Sequence, residues 1–205
     1  MILDSTHRDL GPAPADLCEG LRSQLQDIDW YDDQYQRYEP TLEDGRLLEM
    51  PYALASKRYA ISADSIIAHS IQRLINWINM QDGLDSFEPV RCEIAALLPD
   101  VSLGVHRDRR WMHANSRRLH IPISTNAQCW HTGGAEIDSM TSYHMVADRL
   151  YELNNIDWHQ AGNDSTSVRV HLIVDFMPVG FLAKQIELGV DPRARVPALS
   201  LPVWQ

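Results

Sequence analysis

Apolar residues recur at helical spacing in two places early in the chain. Leu17, Leu21 and Leu25 share one face of a segment from Ala15 to Gln26, and Ile67, Ile71, Leu74 and Ile78 do the same between about Asp64 and Gln81. The second pattern predicts the clearest helix, with Ser62 as its N-cap and Gly83 where a helix stop belongs. Between the two, Trp30–Glu39 alternates loosely enough to be compatible with a strand, and Gly45 sits in a polar turn. From Glu88 onward the texture changes to short, β-branched apolar runs separated by Pro, Gly, Asn and Asp. These predict strands at Val90–Leu98, Arg118–Ile123, Ala135–Ile137, Arg149–Leu153 and Val168–Phe176. Beyond Pro178 the pattern assigns nothing. Helices first and many short strands after predict a mainly β fold, a sandwich or barrel braced by N-terminal helices. Residues 1–87 then form a helical and extended support, 88–178 the core and 179–205 a tail, all within a single domain.

A chain of 205 residues, 44% of them hydrophobic, can fill one core, and a domain of this size buries roughly 70% of the surface its unfolded chain exposes. Eighteen basic against 28 acidic residues leave a formal net charge of −10, which argues against a nucleic-acid partner. Only Lys57 and Lys184 are lysines, and five arginines (Arg107, Arg109, Arg110, Arg117 and Arg118) fall within twelve residues, a local basic patch in an acidic protein. Cys18, Cys92 and Cys129 are too few and too scattered for a disulfide framework or a zinc ribbon. No signal peptide or membrane-spanning run is evident, so a soluble, cytoplasmic protein with no membrane partner is expected.

The candidate chemistry starts at His106-Arg107-Asp108. Residues i and i+2 of an extended chain point the same way, so one imidazole and one carboxylate can meet a single metal ion. His159, in DWHQAGNDS, is the third ligand best placed by context. Two histidines and a carboxylate leave three coordination positions open, the arrangement of non-haem Fe(II) oxygenases. By itself an HxD triplet is weak in a chain with nine histidines and 28 acids. Ten residues beyond His159 comes Arg169, in the middle of SVRVHLIVDF, where Arg169, His171, Ile173 and Asp175 share one face. An arginine there is costly to bury unless paired, either with an internal acid or with the distal carboxylate of a bound dicarboxylate. RRLHIPISTN likewise puts Arg118 and His120 on one face and Leu119, Ile121 and Ile123 on the other; a simple half-buried strand would leave the polar pair in water.

The runs LLPDVSLGVHRD, RRLHIPISTN and LYELNNIDWHQAGNDSTSVRVHLIVDFMP resemble the aspartyl/asparaginyl β-hydroxylase family of Fe(II)- and 2-oxoglutarate-dependent dioxygenases, over about Glu93 to Pro178. The resemblance implies a double-stranded β-helix (jelly-roll) core, with Fe(II) as cofactor and 2-oxoglutarate and O2 as cosubstrates. It implies that His106 and His159 bind iron, with Asp108 as the carboxylate ligand. It further implies that Arg169 pairs with a carboxylate of 2-oxoglutarate and that Arg118 and His120 line the cosubstrate site. Asn163 matches a recurrent polar position of open role. The vertebrate membrane-anchored aspartyl hydroxylase lacks the carboxylate ligand, whereas Asp108 is in place here, as in bacterial relatives that hydroxylate small free amino acids such as proline. The reaction expected is hydroxylation of a C–H bond with release of succinate and CO2.

For the substrate, RDRRWMHANSRR suggests that Arg109 or Arg110 neutralises an amino acid's carboxylate while Trp111 closes the pocket; a solvated polar loop is the plainer alternative. Trp130 and Trp158 are read as core packing, His113, His131 and His144 as surface or loop residues, Cys129 as buried filler, and the 64–81 helix as a brace. Two alternatives stand beside a small amino-acid substrate: β-hydroxylation of Asp or Asn within a peptide, and a non-catalytic jelly-roll metal-binding or sensor module. A zinc hydrolase could use the same ligands, but no general base is placed for it.

Overall fold

The computed structural model describes residues 6–31, 47–48, 56–58 and 65–194. Ser62, Gly45 and all but the first two residues of the expected strand Trp30–Glu39 lie outside them; Trp30 and Tyr31 sit in a turn.

The two periodic segments are helices, α1 (Ala15–Leu25) and α2 (Ile66–Asn79). The N-cap of α2 is Ser65, not Ser62: its hydroxyl oxygen accepts the Ala68 N–H at 3.1 Å, satisfying one donor the first turn leaves open. The strands form two antiparallel sheets. The larger holds β1 (His7–Pro12), β2 (Leu47–Leu48), β3 (Ser56–Arg58), β4 (Phe87–Leu97), β6 (Arg117–Ser124), β9 (Arg149–Leu153) and β11 (Arg169–Pro178), with β1-β9-β6-β11-β4 as its spine. The pairing of β2 with β4 is parallel. The smaller sheet runs β5-β10-β7-β8, from β5 (Val101–His106), β7 (Cys129–Gly134), β8 (Thr141–Tyr143) and β10 (Trp158–Asn163). Two antiparallel sheets face to face, with the chain passing between them, are the jelly roll expected.

The large sheet is buried on both faces, with opposite chemistry on each. Outward, Leu119, Ile121, Ile123, Val170, Leu172, Val174 and Phe176 pack against Leu21, Leu25, Leu74 and Ile78 of the helices. Inward, Arg91, Glu93, Arg118, His120, Arg169, His171 and Asp175 are buried toward the smaller sheet. Arg118 and His120 are therefore not in water, as a half-buried strand would have left them.

Several strands lie outside those the periodicity predicts, among them β1, β5, β7, β8 and β10, and one expected strand is not there. Ala135–Ile137 leads out of β7 into a 3-10 turn at Ile137–Ser139. The strand lies just before it, in CWHTGG, and pairs with WHQAGN. Both carry glycine, which sequence propensity counts against a strand. Here the glycines make room: a Cβ on Gly162 would lie 2.2 Å from the Trp130 ring, and one on Gly134 2.9 Å from the Met140 backbone. Within the arginine-rich segment the chain forms a short helix, α3 (Trp111–Ala114). After Gly180, at φ +74°, it enters another, α4 (Phe181–Glu187), in the stretch where the pattern assigns nothing. Among the described residues no helix is long and apolar enough to cross a membrane.

Phe176 is fully buried between sheet and helices, whereas Val179 is 66% exposed. Phe176→Ala is expected to cost about 3–5 kcal/mol of unfolding free energy, and Val179→Ala less than about 0.5. Urea denaturation of the two variants checks this; equal effects would mean the outer face is not the main core.

Candidate active site

The ends of β5 and β10 bring two histidines together. His106 and His159 are direct cross-strand partners, with ring centroids 4.3 Å apart. Each ring is oriented by its own backbone: Nδ1 of His106 donates to the Gly104 carbonyl at 2.7 Å, and Nδ1 of His159 to the Asp157 carbonyl at 2.9 Å. A carbonyl only accepts, so Nδ1 donates and Nε2 is the ring atom left to meet a metal. Asp108 lies two residues past β5, its backbone N–H bonded to the Asn155 carbonyl at 3.1 Å. Ligand atoms of His106, Asp108 and His159 all fall within 4.8 Å of one another. Burial would raise the Asp108 carboxyl's pKa, but the Arg118 guanidinium and the neighbouring histidines overturn this and hold it well below the usual carboxylate range. The site thus presents one ionised carboxylate and two imidazoles, a donor set suited to Fe(II).

Behind the triad, the inner face of the large sheet carries a ladder of charge. Asp175 lies opposite Arg118 on one side and Arg91 on the other. Arg118 bonds it through Nε at 2.8 Å and Nη2 at 2.9 Å, while Arg91 Nη1 donates at 3.1 Å. Arg91 Nη2 meets Glu93 at 2.5 Å, and Arg118 Nη1 reaches Asp108 Oδ2. Among the described residues, Asp175 is thus shared by two guanidinium groups, and Arg118 links it to Asp108 at the triad. Arg118 is therefore engaged by acids on all three of its nitrogens.

Arg169 is the opposite case. It is 4% exposed, makes no ion pair among the described residues, and donates from Nη1 to His131 Nε2 at 3.3 Å, with Nε unbonded. Burial without a counter-charge pulls its pKa down to about 10. Around it lie three buried histidines, His120, His131 and His171. His120 and His171 share one hydrogen bond between their Nδ1 atoms at 3.4 Å, and both Nε2 atoms are unpartnered. One of these neutral rings must donate in that bond and the other accept, so the pair offers the chamber one Nε2–H and one lone pair. Burial holds all three histidines well below their ordinary pKa, and the nearby arginines add to this.

Two of the metal ligands, His106 and Asp108, open onto a cavity of about 420 Å³ lined also by Arg107, Arg109, Arg110, His113, Val105 and Trp158. Arg107 lies 4.7 Å from the Trp158 ring centroid and donates to the Ala135 carbonyl at 2.8 Å. Arg109 and Arg110 are exposed and make no ion pair among the described residues. Trp111 does not close this pocket. It opens α3, where its N–H bonds the Ala194 carbonyl at 2.7 Å, and its ring packs away against Phe181, Met177 and Leu182. Trp158 stands at the pocket instead, half-buried rather than in the core, as is Trp130, whose Nε1 donates to Asp164. His131 is buried in β7 and His113 lines the cavity, so neither is a surface residue. Asn163 is fully buried and donates to the Leu97 and Ser167 carbonyls at 2.9 and 2.8 Å while accepting from Ser165, so it ties the β10–β11 turn to β4. Sequence reasoning missed His131, His171, Arg91 and Glu93. For His171 the signal was present, since it shares a strand face with Arg169 and Asp175.

A family model for aspartyl/asparaginyl beta-hydroxylases matches residues 68–178, more than half of the chain. No curated protein matches the sequence. Among solved structures, the chain is similar to a Trichoplax adhaerens prolyl hydroxylase in complex with a hypoxia inducible factor oxygen degradation domain peptide fragment: TM-score 0.57, 11% identity, covering 92% of this chain and 89% of that one. A Pseudomonas putida prolyl-4-hydroxylase gives a TM-score of 0.52 at 16% identity, with 86% and 95% covered. HygX from Streptomyces hygroscopicus, with nickel, 2-oxoglutarate and hygromycin B bound, gives 0.57 at 11%, with 86% and 84% covered. At these identities the shared property is the fold.

The buried histidines give a pH signature. Their folded pKa values lie below the ordinary 6.5, so below about pH 6.5 the unfolded chain takes up protons that the folded chain refuses. Their stabilisation is complete above that value and is lost as pH falls. Unfolding free energy is expected to drop between pH 7 and 5 by up to about 1.4 kcal/mol per pH unit for each such histidine. His131→Gln should flatten the slope by about one proton's worth. Urea titrations across this range check it, and a flat profile would show that the histidines are not held neutral.

Proposed function

Since the chain belongs to the aspartyl/asparaginyl β-hydroxylase family, with Fe(II) and 2-oxoglutarate implied by that family and by the His106-Asp108-His159 triad, we propose that it hydroxylates a C–H bond of a free amino acid or a small carboxylate-bearing derivative. The observation that carries this reading is the cavity beside the triad, small and walled by two arginines that no acid neutralises among the described residues. Its volume, about 420 Å³, is in the range of small-ligand sites. An exposed guanidinium at the rim suits a substrate carboxylate, which it can bind bidentately.

The protein's own residues divide the work. His106, Asp108 and His159 hold the metal, with both imidazoles aimed by backbone carbonyls. Arg169, buried and without a counter-ion among the described residues, neutralises the distal carboxylate of 2-oxoglutarate, and a buried charge set so speaks against a metal module that needs no cosubstrate. His120 and His171 present a donor and an acceptor to the same chamber. The two sheets exclude water from it. Iron, when bound, couples oxygen activation to decarboxylation of 2-oxoglutarate to succinate and CO2.

The test begins with anaerobic titration of iron-loaded protein with 2-oxoglutarate, following the visible charge-transfer band of the chelate. The band is expected in the wild type. In Arg169→Ala it should need about 10–100-fold more 2-oxoglutarate, the loss of a buried charge-assisted pair. Amino acids are then screened for stimulated succinate release. Arg109→Ala/Arg110→Ala should raise the KM of the best substrate about tenfold or more while sparing the 2-oxoglutarate requirement. If only peptides bearing Asp or Asn stimulate turnover, the protein is a peptide hydroxylase; if iron binds and no band forms, it is a metal module.

A further inference from the structure

Arg118 matches a position that lines the cosubstrate in the resembling family, yet its guanidinium is otherwise occupied. From its contacts we infer that Arg118 is a positioning residue for the metal's carboxylate, fixing Asp108 as a ligand that offers one oxygen. The inference rests on the metal-site reading above.

Asp108 lies beyond the end of β5, in a stretch of irregular backbone, so no strand pairing holds its side chain. Arg118 does have such support. It is in mid-sheet, directly opposite Asp175, and its Nε and Nη2 are bonded to the two oxygens of that carboxylate. Asp175 is itself fully buried and held from the other side by Arg91. A guanidinium gripped along one edge has its remaining nitrogen pointing in one direction, and that nitrogen, Nη1, bonds Asp108 Oδ2. The other oxygen, Oδ1, stands 3.7 Å from His113 Nδ1, beyond hydrogen-bonding distance, and is free to face a cation. With Oδ2 held by the guanidinium, Oδ1 is the oxygen left for a cation, and a carboxylate giving one oxygen would leave room at the metal for a chelating cosubstrate and oxygen. The rigid sheet thereby reaches across to a loop ligand through one planar side chain.

Mn(II) serves as a redox-inert probe of the site, with free metal read by electron paramagnetic resonance and no turnover involved. Arg118→Gln is expected to weaken Mn(II) binding about 10–100-fold, as loss of an outer partner of a metal ligand does. Arg118→Lys keeps the buried charge but cannot span both acids, and should fall between the two. Asp175→Asn touches neither metal nor cavity and should weaken Mn(II) in the same direction. In all three, the 2-oxoglutarate Kd measured at saturating Mn(II) should change less than about threefold, well short of what losing a charged cosubstrate contact costs. The visible spectrum of Co(II)-saturated protein should change in Arg118→Gln, because the released carboxylate alters the coordination number; a purely structural loss would leave it as in the wild type.

His159→Ala and wild type run in parallel. If the wild type fails to bind Mn(II), or His159→Ala binds it equally well, the metal-site reading fails. If the wild type binds and Arg118→Gln matches it, Arg118 does not position Asp108. If Mn(II) binding is unchanged but 2-oxoglutarate binding drops tenfold or more, Arg118 belongs to the cosubstrate. Should Arg118→Gln not fold, Arg118→Lys decides, and Mn(II) binding equal to wild type in that variant overturns the inference.

Discussion

The carboxylate of Asp175 is wholly inaccessible to solvent and accepts hydrogen bonds from two guanidinium groups, Arg91 and Arg118, on the strands to either side. Removing an unpaired charge from water is among the most costly events in folding, whereas a charge met at once by hydrogen-bonded opposite charges is tolerated. The array therefore stands or falls as a unit: deleting one member leaves the others buried and unbalanced. It imposes a register on β4, β11 and β6, because a shift by one residue would point these side chains at the helices and the leucines at the metal. At its open end Arg118 reaches Asp108, so the same interaction that organises the interior extends to the metal-ligand triad.

An interior this polar needs stability from elsewhere, and the large sheet supplies it on its other side. Leu119, Ile121, Val170, Leu172 and Phe176 meet α1 and α2 in an apolar layer. One strand thus serves two purposes, with alternate residues assigned to packing and to chemistry. The smaller sheet contributes less core and more function: His106 and His159 from neighbouring strands, and His131 facing Arg169 across the gap.

The arginine cluster shows how one local composition is sorted by the fold. Arg117 is held by Glu152, Arg118 by Asp175 and Asp108, and Arg107 by Trp158 and a backbone carbonyl. Arg109 and Arg110 remain open at the cavity. In a chain of net charge −10, general electrostatic steering would repel a carboxylate, so the attraction for a substrate carboxylate that we propose has to be local, at these two side chains.

The residue pattern by itself determined the helices, whose period survives in α1 and α2, and the strands whose apolar residues alternate cleanly, such as Arg149–Leu153 and most of β11. For the triad the HxD spacing was weak by itself, and it was the resemblance of the surrounding runs to the hydroxylase family that singled out His106, Asp108 and His159, which the fold brings together. Glycine-bearing β7 and β10 were illegible, since what makes them strands is a neighbour's bulk, Trp130 over Gly162. The direction of Trp111 was decided by its packing against Phe181. Arg118 and Arg169 look alike along the chain, each an arginine two residues before a histidine on an apolar strand. Only the tertiary structure separates them, because the partners that decide are remote: Asp175 lies 57 residues from Arg118, and His131 lies 38 from Arg169. A charge in a protein interior is defined by what faces it, and what faces it is set by strand register and by the docking of two sheets, neither of which is written in the spacing of neighbouring residues.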